Sequence, residues 1–389
     1  MDYLKHLNET ILPRWIELTP DTECGGTFTA FDVEQNPIKD RKNVWFFGRA
    51  MWSYSMAYRL CEPKQEYIDI CEQIFPFLKK VTFLNGKLPW YVTREGEPET
   101  VRKHTYYTEM FGAMGCAQYY RVSGREDVKA QAELYMDYIH EQYMAQQNAC
   151  QEEEPERESM CFGLNMAILA TVQFVRNAGI RVEMCDKIAA MAIDNMMNAG
   201  YVDYENNSIV EHIPVPGKQL LPRDIGSSCP GHVYEAAWFV MCEGEVKNDD
   251  KIRQFGKKLL DCAMPAGFEK ITRLIPTGNK HEWPLEQNFA SGAFLGWPQQ
   301  EAVIAFRLGY HMFGDKKYLE LSNLIEQETF DYYAMFPKAE WFREIYKKDG
   351  KFLDYKGVGE HIYGPFHYER YLLALGTLEK TGSIMSYMA

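Results

Sequence analysis

The sequence predicts an all-α protein, and more specifically an (α/α)6 barrel, in which six helical hairpins form a closed toroid. Apolar residues recur at helical spacing through most of the chain, whereas the alternating pattern of a β-strand is rare. Helix breakers recur at intervals of about 55–70 residues, which indicates an internal structural repeat. No linker or low-complexity stretch divides the sequence, so we expect residues 1–389 to form a single domain.

Five hairpins follow one another along the chain, each with two helical segments separated by a turn. The turns are predicted where glycine, proline or short polar residues end a helix. They lie at Glu62–Pro63, Ser123–Gly124, Asn177–Gly179, Glu243–Lys247 and Gly314–Asp315.

The sixth hairpin is split between the two ends of the sequence. The stretch "ERYLLALGTLEK" around Tyr371 predicts a first helix with no second helix after it. The stretch "YLKHLNETILPRWIEL" predicts a second helix with no first helix before it. Pairing these two segments closes a ring of six hairpins.

Composition assigns the helices to two rings. The first helix of each hairpin is rich in small and aromatic residues, as at Ala50, Ala113 and Ala236, which suits an inner ring buried on all sides. The second helices carry charges on one face, as in 126–138 and 250–260, which is typical of half-exposed outer helices.

Unusual polar and aromatic residues lie near the N-terminal ends of the predicted inner helices, which meet at one mouth of such a barrel. The residues that we expect in or around a site there are Arg49, Trp52, His104, Tyr107, Glu109, Asn165, His232, Glu235, Trp297, Gln300, Glu301, His367 and Arg370. His232 and Glu235 are spaced i, i+3, as are His367 and Arg370, so each pair shares a helix face.

Each of these residues also has a structural interpretation. A single histidine on an apolar helix is most often a core residue, and Arg49 would serve as a buried ion-pair partner. Glu301 would suit the positive end of a helix dipole. For His104 and Glu109 we favour the structural interpretation. Burial of unpaired charge is costly, however, so polar groups collected at one end of a core favour a functional site.

Two histidines and an arginine suit removal of a proton from carbon next to a carbonyl group. Histidine has a pKa near neutrality and therefore serves as base or acid, and arginine stabilises the resulting oxyanion. His232 and His367 on opposite sides of that carbon would invert it. Glu235 and Glu301 would then set the histidine tautomers or bind sugar hydroxyls.

Two other chemistries use the same residues. Glycoside hydrolysis needs two carboxylates about 5–10 Å apart, which Glu235 and Glu301 would supply, but it leaves the histidines and Arg49 without a necessary role. A metal site formed by His232, Glu235 and His367 is formally possible. The spacing H-x-x-E is frequent by chance, so we expect no metal.

Composition excludes several classes of partner. The net charge is −13 and no basic cluster is present, so no nucleic-acid surface is predicted. Charges interrupt the apolar positions of the first residues, which argues against a signal peptide. No apolar run is long enough for a membrane span. Ten cysteines without a C-x-x-C pair favour a cytoplasmic protein with reduced thiols.

Five stretches, in order, resemble motifs of the N-acylglucosamine 2-epimerase family, which includes renin-binding protein. The sequence "GGTFTAFD" followed by "KNVWFFGRAMW" resembles the family's opening segment, and "YYTEMFGAMGCAQYYRVSG" resembles its second inner helix. "PGHVYEAAWF", "WPQQEAVIAF" and "GPFHYERYL" are similar to the three later motifs. The resemblance extends over almost the whole chain.

The resemblance implies an (α/α)6 barrel that interconverts the C2 epimers of an aldose sugar. It implies that His232 and His367 are the acid/base pair and that Arg49 and Glu301 belong to the catalytic site. It also implies a homodimer that requires no metal. ATP stimulates some relatives, but no G-x-x-x-x-G-K-[ST] loop occurs here.

Details of the motifs bear on the substrate. Relatives that epimerise cellobiose or isomerise aldoses carry a further histidine on the third inner helix, where this chain reads "SMCFGLNMAILA". Together with the proline before Gly231, this favours N-acetylglucosamine and N-acetylmannosamine as substrates. Two positions depart from that branch: His367-Tyr368-Glu369-Arg370 stands in place of His-x-Pro-Arg, and Gly296 replaces an aromatic residue.

The sequence therefore predicts a sugar 2-epimerase with four catalytic residues: His232, His367, Arg49 and Glu301. The predicted substrate-binding residues are Glu235, Tyr107, Arg370, Trp52, Gln300, Asn165 and Trp297. The alternatives are an aldose–ketose isomerase or cellobiose 2-epimerase of the same fold, a barrel glycoside hydrolase, and a non-catalytic sugar-binding protein.

Overall fold

A computed structural model shows two concentric rings of helices, as the sequence predicts. It describes residues 2–32, 36–100, 106–146, 149–150, 159–222, 224–266, 274–275, 293–334, 345–348, 351–354 and 365–388. In chain order the described helices are α1 (Tyr3–His6), α2 (Leu12–Leu18), α3 (Val44–Leu60), α4 (Gln65–Val81), α5 (Tyr107–Ser123), α6 (Glu126–Gln146), α7 (Phe162–Asn177), α8 (Val182–Asn198), α9 (Pro230–Lys247), α10 (Asp250–Ala266), α11 (Gly296–Phe313), α12 (Lys316–Ala334), α13 (His367–Thr381) and α14 (Met385–Met388). A π-helical turn, Leu7–Ile11, joins α1 to α2.

Helices α3, α5, α7, α9, α11 and α13 form the inner ring, and each packs on the next until α13 returns to α3. Helices α4, α6, α8, α10 and α12 form the outer ring, and the α1–α2 segment packs on α13 as the sixth outer member. This arrangement confirms the predicted (α/α)6 barrel, including the hairpin that is split between the two chain ends.

Burial follows the composition of the two rings. Every residue of α3 from Val44 to Ala57 is buried, because this helix is surrounded by neighbours. Helix α4 buries one stripe that includes Tyr67, Ile70, Ile74 and Leu78, and exposes its charged face. The i, i+3, i+4 spacing of that stripe is the signature of a helix that packs on one side only.

Most predicted turns match the ends of the helices. Gly124 and Gly314 end α5 and α11 with positive φ angles of 65° and 70°, a conformation that glycine adopts without steric cost. The turn predicted at Glu243–Lys247 is wrong by several residues, because α9 continues to Lys247 and ends at Asn248. Glu243 is buried and pairs with Arg176 of α7 at 2.7 Å, so it belongs to the helix.

Short antiparallel strands precede several inner helices and so lie at the mouth of the barrel. The described strands are β1 (Arg41–Asn43), β2 (Tyr91–Thr93), β3 (Pro98–Thr100), β4 (Ala149–Cys150), β5 (Ser159–Cys161), β6 (Val202–Asp203), β7 (Ser208–Ile209), β8 (His212–Pro214), β9 (Ala293–Phe294), β10 (Ile345–Lys348) and β11 (Lys351–Asp354). They form three sheets, ordered β1-β2-β3, β4-β5-β8 and β9-β10-β11, and the hairpin β6-β7. Strands β1 and β5 end directly before α3 and α7, so these two sheets fix the loops around the mouth.

The opposite end of the barrel is closed by α14. The ring of Tyr387 lies 6.3 Å from Trp52, 5.8 Å from Phe174 and 6.1 Å from Trp238, measured between ring centroids. These partners belong to α3, α7 and α9, so Tyr387 lies close to the barrel axis. The side-chain amide of Asn177 donates a hydrogen bond to the Met388 carbonyl and anchors the segment.

Among the described residues, no helix has both the length and the apolar character needed to cross a lipid bilayer.

Candidate active site

A cavity of about 370 Å³ opens among the N-terminal halves of the inner helices. Its lining residues are Trp45, Arg49, Tyr107, Met110, Phe111, Met114, Met166, Ala167, Ala170, Thr171, Cys229, His232, Glu235, Phe239, Leu295, Trp297, Phe366, His367 and Arg370. The charged side chains come from α3, α9 and α13, whereas α5 and α7 contribute mostly methionine, alanine and phenylalanine. The cavity therefore has a charged wall and an apolar wall.

His232 lies in the first turn of α9, which begins with Pro230 at a position where proline is favoured. Its Nδ1 atom lies 2.9 Å from Oε1 of Glu211. The same carboxylate oxygen accepts hydrogen bonds from the Gly163 backbone amide at 3.1 Å and from the Cys161 thiol at 3.2 Å. Glu211 thus orients the imidazole and leaves its Nε2 atom for a bound substrate.

Gly163 makes this contact possible. A β-carbon at that position would lie 2.5 Å from Nδ1 of His232 and 2.7 Å from Oε1 of Glu211. Helix α7 can therefore begin beside the histidine–carboxylate pair only because residue 163 has no side chain.

The environment of His232 favours its protonated form. Burial opposes the positive charge, but the interactions with Cys229 and Glu211 outweigh burial and raise the pKa of His232 well above its ordinary value. Burial likewise opposes the charge of Glu211, but the neighbouring His232 holds the pKa of that carboxyl below its usual range. We therefore assign an imidazolium–carboxylate pair at neutral pH.

His367, the first residue of α13, is held by a second carboxylate. Its Nδ1 atom lies 2.9 Å from Oε1 of Glu301 on α11. The same oxygen accepts a hydrogen bond from Nε of Arg370 at 3.0 Å, and Oε2 of Glu301 accepts one from Nε1 of Trp238 at 2.9 Å. Arg370 also donates to Glu235 and so joins the two carboxylates. Glu301 is completely buried behind the cavity wall.

The environment of His367 favours its neutral form. Burial, Arg370 and Arg49 together hold the pKa of His367 well below its ordinary value, and Glu235 offsets only part of this effect. Because a guanidinium can only donate hydrogen bonds, Glu301 is the acceptor for Arg370. Nδ1 of His367 lies 2.9 Å from Oε1 of Glu301 and 3.2 Å from a guanidinium nitrogen of Arg370, so we assign its proton to the shorter contact with the carboxylate, which leaves a lone pair on Nε2.

Trp297 packs against both histidines. Its indole centroid is 5.6 Å from the ring of His232 and 5.4 Å from the ring of His367, with interplanar angles of 33° and 35°. A β-carbon at residue 231 would lie 2.3 Å from the indole, so Gly231 provides the space that the tryptophan occupies. Both imidazoles therefore flank one small volume.

Arg49 lies on the charged side of the cavity, against three aromatic rings. Its guanidinium carbon is 4.1 Å from the centroid of Phe111, 4.7 Å from that of Phe366 and 5.4 Å from that of Trp45. Such rings stabilise a cation with little access to water, and they hold the guanidinium plane beside the histidines.

Three residues predicted to bind substrate lie away from the cavity. Trp52 is completely buried beneath it, where its ring packs 5.0 Å from Phe366. Gln300 borders a small gap between α11, α12 and α13. Asn165 is completely buried and accepts a hydrogen bond from the Tyr143 hydroxyl at 3.0 Å, on the side of α7 that faces α6.

The other predicted residues divide as follows. Tyr107, Glu235, Trp297 and Arg370 line the cavity. Glu109 does not line it; its carboxylate accepts a hydrogen bond from the Leu88 amide at 2.7 Å, and burial raises its pKa to about 7. The predicted position His104 lies outside the described residues.

Among the described residues, one group has metal-ligand geometry. One ligand atom from each of Glu235, Glu301 and His367 lies within 4.8 Å of the others. The guanidinium of Arg370 donates to both carboxylates, so a metal ion would have to compete with a positive charge that already bridges them. These residues therefore fit a cation poorly.

Two residues that contact His232 are not predicted from the sequence. Glu211 precedes β8 in a connection between α8 and α9, and Cys229 is the residue before α9. Neither belongs to a periodic helix face. The only sequence signal for Cys229 is its place directly before the "PGH" stretch, and Glu211 has none that separates it from other charged loop residues.

Comparison with known proteins identifies the group to which the chain belongs. A model of the family described as N-acylglucosamine 2-epimerase (GlcNAc 2-epimerase) matches residues 26–366. The human N-acylglucosamine 2-epimerase is 26% identical over 92% of this chain and 84% of its own length. A cellobiose 2-epimerase from Ruminococcus albus is 23% identical over 88% of this chain and 89% of its own length.

The fold is also found among solved structures. Cellobiose 2-epimerase from Spirochaeta thermophila superposes with a TM-score of 0.77 at 17% identity, over 99% of this chain and 96% of the other. The match to the family model, the ring of six hairpins and the paired histidines at its mouth agree with one another, and the chain belongs to the N-acylglucosamine 2-epimerase family.

Proposed function

We propose that this protein, a sugar epimerase by its family, interconverts N-acetylglucosamine and N-acetylmannosamine by removing and returning the proton at C2. The observation that carries the proposal is the pair of cavity histidines, which flank the same indole and have pKa values shifted in opposite directions. Two titratable groups whose environments separate their pKa values form an acid and a base at one pH.

The reaction starts from the open-chain sugar. The Nε2 lone pair of His367 takes the C2 proton, and the electron pair of that C–H bond moves toward the C1 carbonyl to form an enediolate-like intermediate. His232 then donates its Nε2 proton to the opposite face of C2, and the electron pair returns to that carbon. The configuration at C2 is inverted, and one proton has moved in each direction. The reverse reaction exchanges the roles of the two histidines.

The developing negative charge at the carbonyl oxygen needs a cation. Arg370 already donates to Glu235 and Glu301, so its charge is largely balanced. Arg49 lines the same cavity from α3, and its guanidinium carbon lies 4.7 Å from the centroid of Phe366, the residue before His367. We assign Arg49 as the group that stabilises the oxyanion.

The apolar wall supports an N-acyl substituent. Helices α5 and α7 present Met110, Met114, Met166, Ala167 and Ala170 to the cavity, across the ring from α11 and α13. Sugar hydroxyls that face this wall would lose hydrogen bonds to water, which is costly. The acyl methyl group is the part of the substrate that gains from such a surface, and methionine side chains adapt to its shape.

The charged wall disfavours glycoside hydrolysis. That reaction needs one carboxylic acid and one carboxylate placed on either side of the glycosidic bond. Here Glu235 and Glu301 accept hydrogen bonds from the same nitrogen of Arg370, and Glu301 is completely buried and does not line the cavity, so the two carboxyl groups do not lie on either side of a bound glycoside. An aldose–ketose isomerase is the closer alternative, because it begins with the same proton removal.

Incubation with N-acetylmannosamine in deuterated water tests the proposal. We expect N-acetylglucosamine that carries deuterium at C2, and we expect His232→Asn and His367→Asn each to lower turnover by at least about 1,000-fold in folded protein. Ketose formed from mannose would favour the isomerase, and glycoside cleavage would favour the hydrolase. Saturable binding without deuterium exchange would indicate a sugar-binding protein.

The family resemblance further supports a cytoplasmic homodimer that requires no metal. We expect light scattering to give twice the chain mass and activity to survive treatment with a chelator. A monomer, or activity that is lost with the chelator and restored by a divalent cation, would contradict these points.

A further inference from the structure

Tyr387 occupies the barrel axis below the cavity, although it belongs to α14, a four-residue helix outside the ring of hairpins. Its side chain is completely buried, and its hydroxyl has no hydrogen-bond partner among the described residues. The segment 367–388 lies beyond the residues that the family model matches. Burial of a hydroxyl group without a hydrogen bond costs free energy, so a tyrosine at this position favours a role for its side chain.

The ring of Tyr387 contacts the group that holds His367. Its centroid lies 6.1 Å from the indole of Trp238. The indole N–H of Trp238 donates to Oε2 of Glu301 at 2.9 Å, and Oε1 of Glu301 holds His367 and Arg370. A continuous line of contacts therefore runs from Tyr387 through Trp238 and Glu301 to the imidazole.

Electrostatics places the hydroxyl of Tyr387 near the same group. Burial raises the pKa of Tyr387 well above its ordinary value, and the charges of Arg370 and Glu301 act on it with opposite signs. The guanidinium of Arg370 also lies 5.6 Å from the indole centroid of Trp238. Arg370, Trp238 and Tyr387 thus pack as one unit on the inner side of Glu301.

We propose that Tyr387 is a positioning residue for the epimerisation: its ring fixes the Trp238 indole, which in turn fixes Glu301 and the orientation of His367. The inference rests on the proposed function. Glu301 has one donor on Oε2 and two partners on Oε1, so a shift of the indole would let the carboxylate rotate. A displacement of about 1 Å at a catalytic base is enough to lower a rate about 100-fold.

A double-mutant cycle tests this inference. We expect Tyr387→Ala to lower kcat for N-acetylmannosamine by about 30-fold to 100-fold with KM changed less than about three-fold. Tyr387→Phe keeps the ring and should retain activity within about three-fold. Trp238→Phe removes the indole N–H and should cost about as much as Tyr387→Ala. The double variant Tyr387→Ala/Trp238→Phe should then cost little more than either single variant, because both act on Glu301.

Two further measurements separate positioning from general stability. Tyr119→Ala is the matched control, because Tyr119 is a completely buried tyrosine on α5 that does not line the cavity; it should lower thermal stability and leave kcat nearly unchanged. If Tyr387→Ala does not fold, Tyr387→Leu replaces it. Multiplicative losses in the double variant, or unchanged kcat in Tyr387→Ala, would overturn the proposal.

The imidazole NMR resonances of His367 provide a readout that does not depend on turnover. They should shift in Tyr387→Ala and Trp238→Phe and stay in place in Tyr119→Ala. If the wild-type protein fails to epimerise N-acetylmannosamine, the proposed function is wrong, but these shifts still decide whether Tyr387 positions His367. Unshifted resonances in Tyr387→Ala would overturn the positioning role.

Discussion

His232 and Glu211 form a buried hydrogen bond of 2.9 Å between Nδ1 and Oε1, and an identical distance joins His367 to Glu301. The two pairs nevertheless differ in charge. In the part of the chain that the structure describes, the hydrogen-bond partners of the Glu211 carboxylate include no guanidinium, whereas Arg370 shares the carboxylate of Glu301. Cys229 and Glu211 raise the pKa of His232 against the effect of burial, whereas burial, Arg370 and Arg49 lower the pKa of His367.

Replacement of Glu211 tests the electrostatic part of this pairing. Because Cys229 and Glu211 together raise the pKa of His232 against the effect of burial, the acid form of His232 persists to higher pH than in an ordinary histidine and is lost as the pH rises through that pKa. In Glu211→Gln we expect the alkaline limb of kcat/KM to move to lower pH and kcat to fall about 10-fold. Rates are measured from about pH 5 to about pH 9. Glu205→Gln, in the exposed β6–β7 turn, is the control, and superimposable profiles for Glu211→Gln and wild type would refute the role.

His367 should make the folded protein sensitive to acid. Its pKa is lowered in the folded state, so the unfolded chain binds a proton near pH ~6.5 that the folded protein does not bind. The free energy of unfolding therefore decreases as the pH falls below ~6.5, by at most about 1.4 kcal/mol per pH unit from this group. Urea titrations at several pH values should show a weaker loss in His367→Gln than in wild type. Parallel losses in the two proteins would show that His367 does not contribute.

Gly231→Ala separates activity from stability. The added methyl group would lie 2.3 Å from the Trp297 indole, so the ring must shift from its position against both histidines. We expect kcat/KM to fall about 100-fold, while thermal stability stays equal or rises, since alanine favours a helix over glycine by about 1 kcal/mol. Trp297→Phe lacks the clashing atoms, and in that background Gly231→Ala should cost little more. Full activity of Gly231→Ala would contradict the placement of Trp297.

Ala167→Leu tests the apolar wall as the acyl site. Ala167 lines the cavity and is only partly buried, so a leucine there would take up cavity space rather than disturb the core. We expect the loss of kcat/KM to grow from N-formyl to N-acetyl to N-propionyl mannosamine, by about 10-fold per added carbon. Ala199→Leu, at the exposed end of α8, should leave all three rates unchanged. An equal loss for all three sugars would place the acyl group elsewhere.

The ring of hairpins was predictable from the sequence because it depends on features that recur. Gly124 and Gly314 end helices by adopting positive φ angles, and the apolar stripes of the outer helices repeat every turn. The completion of the sixth hairpin by the first helical segment follows from counting helices. The resemblance to known motifs pointed to His232, His367, Arg49 and Trp297, all of which line the cavity.

The errors at the site have a geometric cause. Successive residues of a helix point about 100° apart, so an uncertainty of one residue changes the wall to which a side chain belongs. The sequence predicts Asn165 as a binding residue, whereas the next residues, Met166 and Ala167, face the cavity. It predicts Gln300 together with Glu301, but Gln300 borders a gap beside α12 and Glu301 contacts His367. Glu211 lies in the bend directly before β8. No helical periodicity in the sequence therefore predicts its position.

The opposite protonation of the two imidazoles has a consequence for successive turnovers. In the proposed mechanism, one passage from the first epimer to the second leaves the C2 proton of the substrate on His367 and leaves His232 without its own proton, so the released enzyme differs from the one that bound the sugar. It must regain its resting form by exchange with water before it can process the same epimer again. Since the environment of His367 disfavours a bound proton and that of His232 favours one, this exchange restores the form that accepts the first epimer. If the mechanism holds, the protonation of the free enzyme depends, until that exchange, on which epimer it last released.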